Sequence, residues 1–253
     1  MARGLPYHKL IGVLIRHSVV LTSNLVQFRA LYKFRSATML DRTIPLPFPT
    51  ARALIISDFN CPYCYVLNEW IQVLGMGNRV RWIGIEHRPS LPQIGDNSEG
   101  EIETLTREVA DVHRRAPGID LRRPKAWISS HEALLLQNAL EDEEPELAPA
   151  IRSRIFRSYW NEGRSISNQS VLDNILEEFG ISRPAPEPEY LAELTHWWAE
   201  ELDRIPCMLA PTGIAHFGLQ DLVAVRSFLN SAIHSSSTGP GCVVPADSEH
   251  GCE

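Results

Sequence analysis

The chain has 253 residues, 44% of them apolar and 22% charged, with 15 Gly and 18 Pro, a globular composition that excludes wholesale disorder, collagen and coiled coil. Its net charge of −7 argues against a broad basic footprint, so no nucleic-acid partner is expected. The five cysteines are too sparse, and odd in number, for a disulfide-stapled secreted scaffold, so any cysteine that matters does so through its chemistry.

Residues 1–38 carry Arg3, Lys9, Arg16, Arg29, Lys33 and Arg35 and no Asp or Glu. Their longest apolar stretch, Leu10 to Ile15, is broken by Arg16 and His17, far short of the roughly 20 residues that span a bilayer, so no membrane partner is expected. It is also short for a secretory signal, and no small-x-small cleavage site follows. Two readings stay open: an organellar transit peptide, or sequence upstream of a true start at Met39. The expected location is the cytoplasm, or a mitochondrial or other organellar matrix if the segment is a transit peptide. Residues 1–51 are set apart as an N-terminal extension.

From Arg52 the pattern turns globular. Ala53 to Phe59 reads as a continuously apolar strand buried on both faces. It ends in Asn60-Cys61-Pro62-Tyr63-Cys64, and proline favours a first helical position, so Cys61 is expected at the start of a helix continued by Tyr65, Trp70, Ile71 and Leu74. The turn residues Gly75, Gly77 and Asn78 precede a second strand, Val80 to Ile85, which completes a βαβ unit. Residues 98–180 then read as helices. Ile102, Leu105, Val109 and Val112 share one face; Ser130–Asp142, Pro149–Trp160 and Val171–Phe179 follow, the last capped by Ser167 or Asn168. After Pro184, Pro186 and Pro188 comes a stripe of Leu191, Leu194, Trp198 and Leu202. Two short strands follow, Ile205 to Leu209 and Ile214 to Phe217, then a helix from Leu219 to Leu229. The expected fold class is α/β, with a helical domain inserted between a βαβ half and a C-terminal ββα half. The α/β part covers 52–97 and 189–231, the insertion 98–188, and a disordered tail 232–253.

Cys61-Pro62-Tyr63-Cys64 carries the chemistry, because a C-x-x-C beside a βαβ pattern is a redox motif. At a helix N-terminus the open N–H groups and the dipole favour negative charge, so Cys61 is expected to ionise more readily, to be exposed and to attack first. Cys64, one turn along, is placed to resolve the mixed disulfide. Two other readings of the pair remain: half of a zinc site completed from Cys207, His216, Cys242, His250 or Cys252, or two inert structural cysteines. The expected metal content is none, and no organic cofactor is required. The second piece is Ile205-Pro206 at a strand start: taken alone it reads as a trans proline that begins the strand, and only beside the C-x-x-C as a cis proline facing the dithiol, which leaves the Ile205 backbone free to pair with an extended substrate. Tyr63 is added to Ile205 and Pro206 as a substrate-contacting residue. Cys207 is expected to pack inward. Trp197 and Trp198 are read as packing residues, His131 as structural, Glu141 to Glu144 as a solvated helix end, and Glu86-His87-Arg88 as an exposed strand end.

Cys61-Pro-Tyr-Cys64 after an apolar strand, Ser130-His131-Glu-Ala-Leu134, Ser158-Tyr-Trp-Asn-Glu-Gly163-Arg-Ser-Ile166 and Ile205-Pro206 occur in the order found in DsbA-like thioredoxin-fold oxidoreductases, and the chain resembles their FrnE-type branch over about residues 52–231. The resemblance implies a thioredoxin-like fold interrupted by the helical domain over 98–188, with 52–97 and 189–231 as its thioredoxin-like part, a dithiol-disulfide reaction by Cys61 and Cys64, and Pro206 as the cis proline beside the motif. It also implies protein or small-molecule thiols and disulfides as substrates, and a redox partner for turnover. The chain departs from the family's pattern at Arg204 and Cys207, around that proline. The rivals are a glutathione-dependent isomerase or transferase of the kappa type, which has serine at the first motif position, and a non-enzymatic binding module on the same fold.

Overall fold

The computed structural model describes residues 43–202 and 204–234; residues 1–42, with the two readings of the basic segment, and the expected tail beyond residue 234 lie outside them. Strand β1 (Ala53–Ser57) is buried along its whole length, as a continuous apolar run requires when both faces are covered. Strand β2 (Val80–Gly84) runs parallel to it, with Trp82 beside Ile55. Strand β3 (Cys207–Leu209) runs antiparallel on the other side of β1, with Cys207 beside Ile56. Strand β4 (Ala215–Phe217) pairs with β3 and closes a four-stranded sheet of order β2-β1-β3-β4.

A parallel pair needs a crossover, and helix α1 (Pro62–Val73) supplies it, with proline in its first turn. It stops where Gly75 takes φ 64. The Gly75 N–H then reaches Gln72 O at 2.9 Å and the Met76 N–H reaches Ile71 O at 3.0 Å, a double closure that a left-handed glycine permits. Between β2 and β3 lie α2 (Glu99–Arg115), α3 (His131–Glu143), α4 (Ala148–Trp160), α5 (Gln169–Glu178) and α6 (Pro188–Glu201); α7 (Leu222–His234) follows β4. The result is the expected mixed α/β thioredoxin-like fold interrupted by helices. Ser98 and Glu101 cap α2 reciprocally, and Leu105, Val109 and Val112 are its buried stripe. Asn168, rather than Ser167, caps α5 by accepting the Ser170 N–H at 2.9 Å.

Helix α3 covers the outer edge of β2. The Asn138 amide accepts the Gly84 N–H at 2.8 Å and donates to Gly84 O at 3.0 Å, so a buried edge keeps its backbone bonds. The approach is close enough that a Cβ on Gly84 would lie 2.8 Å from Leu134 Cδ2. Glu141, expected in a solvated run, is instead buried at 4% exposure and pairs at 2.9 Å with Arg152, itself 1% exposed. The run misled because only its later members, Asp142 to Glu144, face out. Arg152 also bonds Asn68 and lies over the Trp82 ring, 4.3 Å from its centroid.

Several boundaries move. β1 ends at Ser57, because Asp58 turns the chain toward the dithiol. β3 begins at Cys207 and β4 at Ala215. α7 starts three residues later than Leu219, where Asp221 accepts the Ala224 N–H at 2.8 Å, and runs through residues 232–234 that had been read as tail. Residues 43–51, read as extension, lie against this body: Ile44 is buried and its N–H meets Gly213 O at 3.0 Å, while Trp197 Nε1 donates to Pro45 O. Among the described residues no helix is long and apolar enough to cross a membrane.

Candidate active site

Cys61 is the N-cap of α1, extended at φ −101 and ψ 117, and Cys64 lies in the first turn. The Cys61 carbonyl accepts the N–H groups of Cys64 and Tyr65 at 3.2 Å, and the Cys61 N–H reaches back to Asp58 O at 3.2 Å. No acidic residue stands in the first turn of α1, so nothing on the helix itself opposes negative charge at its start. Both cysteines are free thiols, three positions apart at the start of α1. Burial first, and then the neighbouring Cys61 sulfur, pushes the Cys64 thiol well above its ordinary value. Cys61 differs from the sequence expectation of an exposed nucleophile: its exposure is 5%, against 0% for Cys64.

The turn that carries Cys61 is pinned from the helical segment. Trp127 Nε1 donates to Asn60 O at 2.8 Å and Trp160 Nε1 to Phe59 O at 2.9 Å. Beneath it lies a residue that sequence reasoning treated as part of a strand. The Asp58 carboxyl, fully buried, accepts the Asn60 N–H at 3.2 Å, the His87 N–H at 2.9 Å and the Ser130 hydroxyl. Desolvation outweighs those donors and raises it to about 6. Its charge also bears on Cys64. The available signal was an acidic residue inside an apolar run three positions before the motif.

Tyr63 turns outward from the motif and donates to Asp111 Oδ2 of α2 at 3.0 Å. Burial and the Asp111 carboxylate hold its phenol well above its usual range. Glu86, His87 and Arg88 are half-buried rather than exposed. Glu86 lies 3.0 Å from His131 Nδ1, the His87 ring stacks edgewise on Trp198, and Arg88 sits 4.1 Å over the Trp127 ring. Burial lowers the His87 imidazole to about 4.

The Ile205–Pro206 peptide bond is cis, and Pro206 O accepts the Gly218 N–H at 2.8 Å. Extending the β1–β3 register, in which Ile56 faces Cys207, places Pro206 opposite Ser57 and Ile205 opposite Asp58. The loop before β3 and the dithiol turn therefore leave the sheet at the same end. Cys207 is fully buried within β3, and desolvation pushes its thiol up to about 12. Of the nominated zinc ligands, Cys242, His250 and Cys252 lie outside the described residues, and among the described residues no group of three or more His, Cys, Asp or Glu side chains is gathered to hold a metal ion. A separate cleft of about 460 Å³, bordered by Lys125, Tyr159, Arg164 and Ser167, touches neither motif cysteine.

The sequence profile of the DSBA-like thioredoxin domain matches residues 54–189, more than half of the chain and including the motif. The chain belongs to this family. Solved structures agree on the fold. A 2-hydroxychromene-2-carboxylate isomerase is 19% identical with a TM-score of 0.58, the match covering 72% of this chain and 96% of that one. A probable DsbA oxidoreductase from Streptomyces coelicolor is 16% identical with a TM-score of 0.57, over 78% and 95% of the two chains. The cytosolic disulfide reductase DsbM from Pseudomonas aeruginosa, solved with GSH, is 14% identical with a TM-score of 0.51, over 72% and 99%.

Proposed function

We propose that this DSBA-like protein is a thiol-disulfide oxidoreductase in which Cys61 is the nucleophile and Cys64 the resolving thiol. The observation that carries the reading is the placement of Cys61 at the N-terminus of α1 with Cys64 in the first turn of the same helix. A negatively charged sulfur at that position stands at the positive end of the helix dipole. Cys61 sulfur attacks one sulfur of a substrate disulfide: an S–S bond forms to Cys61, the substrate S–S bond breaks, and the leaving thiolate takes a proton. Cys64 then attacks the Cys61 sulfur, forming the Cys61–Cys64 disulfide and expelling the second substrate thiolate. Two electrons have passed from the dithiol to the substrate.

Cys64 must lose its proton in that second step, and its burial opposes this. The Asp58 carboxyl, whose charge bears on Cys64, is the base for that proton, and at about 6 it is ionised yet basic near neutral pH. Tyr63, Ile205 and Pro206 form the substrate surface, with the Ile205 backbone at the position where an extended segment would add to the sheet. A low-molecular-weight thiol in excess returns the disulfide to the dithiol by the reverse exchange, a reading supported by the GSH bound to the DsbM relative. The cytosolic setting of the DsbM relative supports the cytoplasm as the compartment.

Likeness to an isomerase supports a second reading, a glutathione-dependent isomerase of the kappa type, in which Cys64 is dispensable. A cysteine at position 61 counts against it, because that class has serine there. The test is trapping. With a disulfide substrate, Cys64→Ser accumulates a mixed disulfide through Cys61, and Cys61→Ser accumulates almost none. Equal trapping by both variants would reverse or abolish the assignment, and trapping by neither would favour a binding module.

A further inference from the structure

Cys61 holds the N-cap of α1, a place normally open to solvent, and yet it is 5% exposed. Helix α2 of the helical segment packs against α1 and reaches the motif at Tyr63. Asp111 accepts the Tyr63 hydroxyl at 3.0 Å and Tyr63 lies close enough to Cys61 to feel its charge. One turn further along α2, the Arg115 guanidinium stands 5.9 Å over the Tyr63 ring and 3.8 Å from Asp111 Oδ2. It also donates to Leu219 O, in the loop between β4 and α7. The residue before Leu219, Gly218, donates its N–H to Pro206 O. A continuous chain of contacts thus runs from Tyr63 of the motif, through Asp111 and Arg115, to the loop that bonds Pro206 O.

We infer that Arg115 is a latch across the dithiol groove that restricts this protein to small-molecule disulfides and excludes those on the surface of folded proteins. The inference rests on the dithiol reading above. A small disulfide needs only a gap beside Tyr63. A protein substrate, which lays an extended segment along Ile205, needs α2 and the Leu219 loop to part, and that breaks the bond from Arg115 to Leu219 O. On its own helix the guanidinium is kept in place by Asp111 and by the dipole at the last turn of α2. Because only the protein substrate requires the open state, weakening the latch changes discrimination between substrate classes.

The test uses the full chain, reduced and freed of reductant, mixed with excess 2-hydroxyethyl disulfide or with insulin at equal disulfide concentration. Formation of the Cys61–Cys64 disulfide is followed by acid quench, alkylation and intact mass. The wild type should oxidise at least about tenfold faster with the small disulfide, and Arg115→Ala should raise the insulin rate relative to the small-disulfide rate by about fivefold or more, the scale of a lost charge-assisted hydrogen bond. Arg115→Gln, which keeps part of the side chain's packing, should move the ratio in the same direction and serves if the alanine variant folds poorly. Arg107→Ala removes the same charge from an exposed position of α2 and should leave the ratio at the wild-type value. The latch is refuted if the wild type handles both disulfides alike, or if folded Arg115 variants keep its ratio. If neither disulfide oxidises the wild type, the dithiol reading itself fails, a result distinct from an unmoved ratio.

Discussion

Replacing Asp58 with asparagine changes the charge of the site while keeping its shape, and the consequence for stability has a definite sign. The Asp58 carboxyl is raised from an ordinary 3.8 to about 6 by desolvation, so the folded protein holds this proton more tightly than the unfolded chain does. Its stabilising contribution is whole below about pH 4 and is lost as the pH rises through about 6. A shift of roughly 2 pH units, at about 1.4 kcal/mol per unit, is worth about 3 kcal/mol. Asparagine does not titrate. Its amide oxygen can accept the Asn60 N–H and the Ser130 hydroxyl, which now meet one carboxylate oxygen, but its NH2 then faces the His87 N–H; the mismatch costs about 1–3 kcal/mol at every pH. The difference between wild type and Asp58→Asn should therefore change by about 3 kcal/mol in the variant's favour between pH 4 and pH 7.5. For a chain of this size that corresponds to a relative Tm movement of roughly 6–12 °C. Thermal melts of both proteins across that range measure it, and other titrating groups cancel in the difference. Parallel Tm curves, or a variant that loses ground as the pH rises, would refute the assignment of Asp58 as a buried, reluctantly ionised carboxyl.

Gly84→Ala places a Cβ 2.8 Å from Leu134 Cδ2 and 3.1 Å from Asn138 Oδ1, so the fit of α3 to the edge of β2 must loosen; a loss of about 1–3 kcal/mol in urea unfolding is expected, and an unchanged midpoint would mean α3 is free to shift. For the buried pair of Glu141 and Arg152, Glu141→Gln and Arg152→Met should each cost about 3–5 kcal/mol, while the double variant costs far less than their sum, because each single change strands the other polar group. Additive losses in that double-mutant cycle would show that the two side chains do not act as a pair.

The βαβ and ββα halves were legible because their signals are local: a short apolar run, a proline after Cys61 and glycines where the helix must stop. The dithiol was legible for the same reason, since two cysteines three positions apart on a helix start determine their own neighbourhood. Residues whose role depends on distant partners were not. An acidic residue inside an apolar run marked Asp58, but nothing near it in the sequence announces its partner Ser130, 72 positions away. Glu141 reads as the first of four acidic residues, and only the approach of Arg152 on the next helix turns it inward. The burial of Cys61 was missed because the helix-start argument treats α1 in isolation, whereas other elements pack around its first turn.

The same contacts explain why the helices between β2 and β3 belong to the chemistry as much as the sheet does. The sheet delivers β1 and the Pro206 loop to one end, but the conformation of the Cys61 turn depends on two indoles, Trp127 and Trp160, that bond its carbonyls from outside. The base proposed for Cys64 depends on Ser130, at the start of α3, for its shortest bond. Tyr63 is held by α2. A free Asn60 or Phe59 carbonyl buried without its indole would carry a desolvation cost of about 1–3 kcal/mol, and the turn would relax away from the helix start that favours a charged sulfur. Variation in these helices therefore acts on the dithiol in two separable ways: residues 127, 130 and 160 set the geometry of the thiols, while residues 111 and 115 set what can reach them.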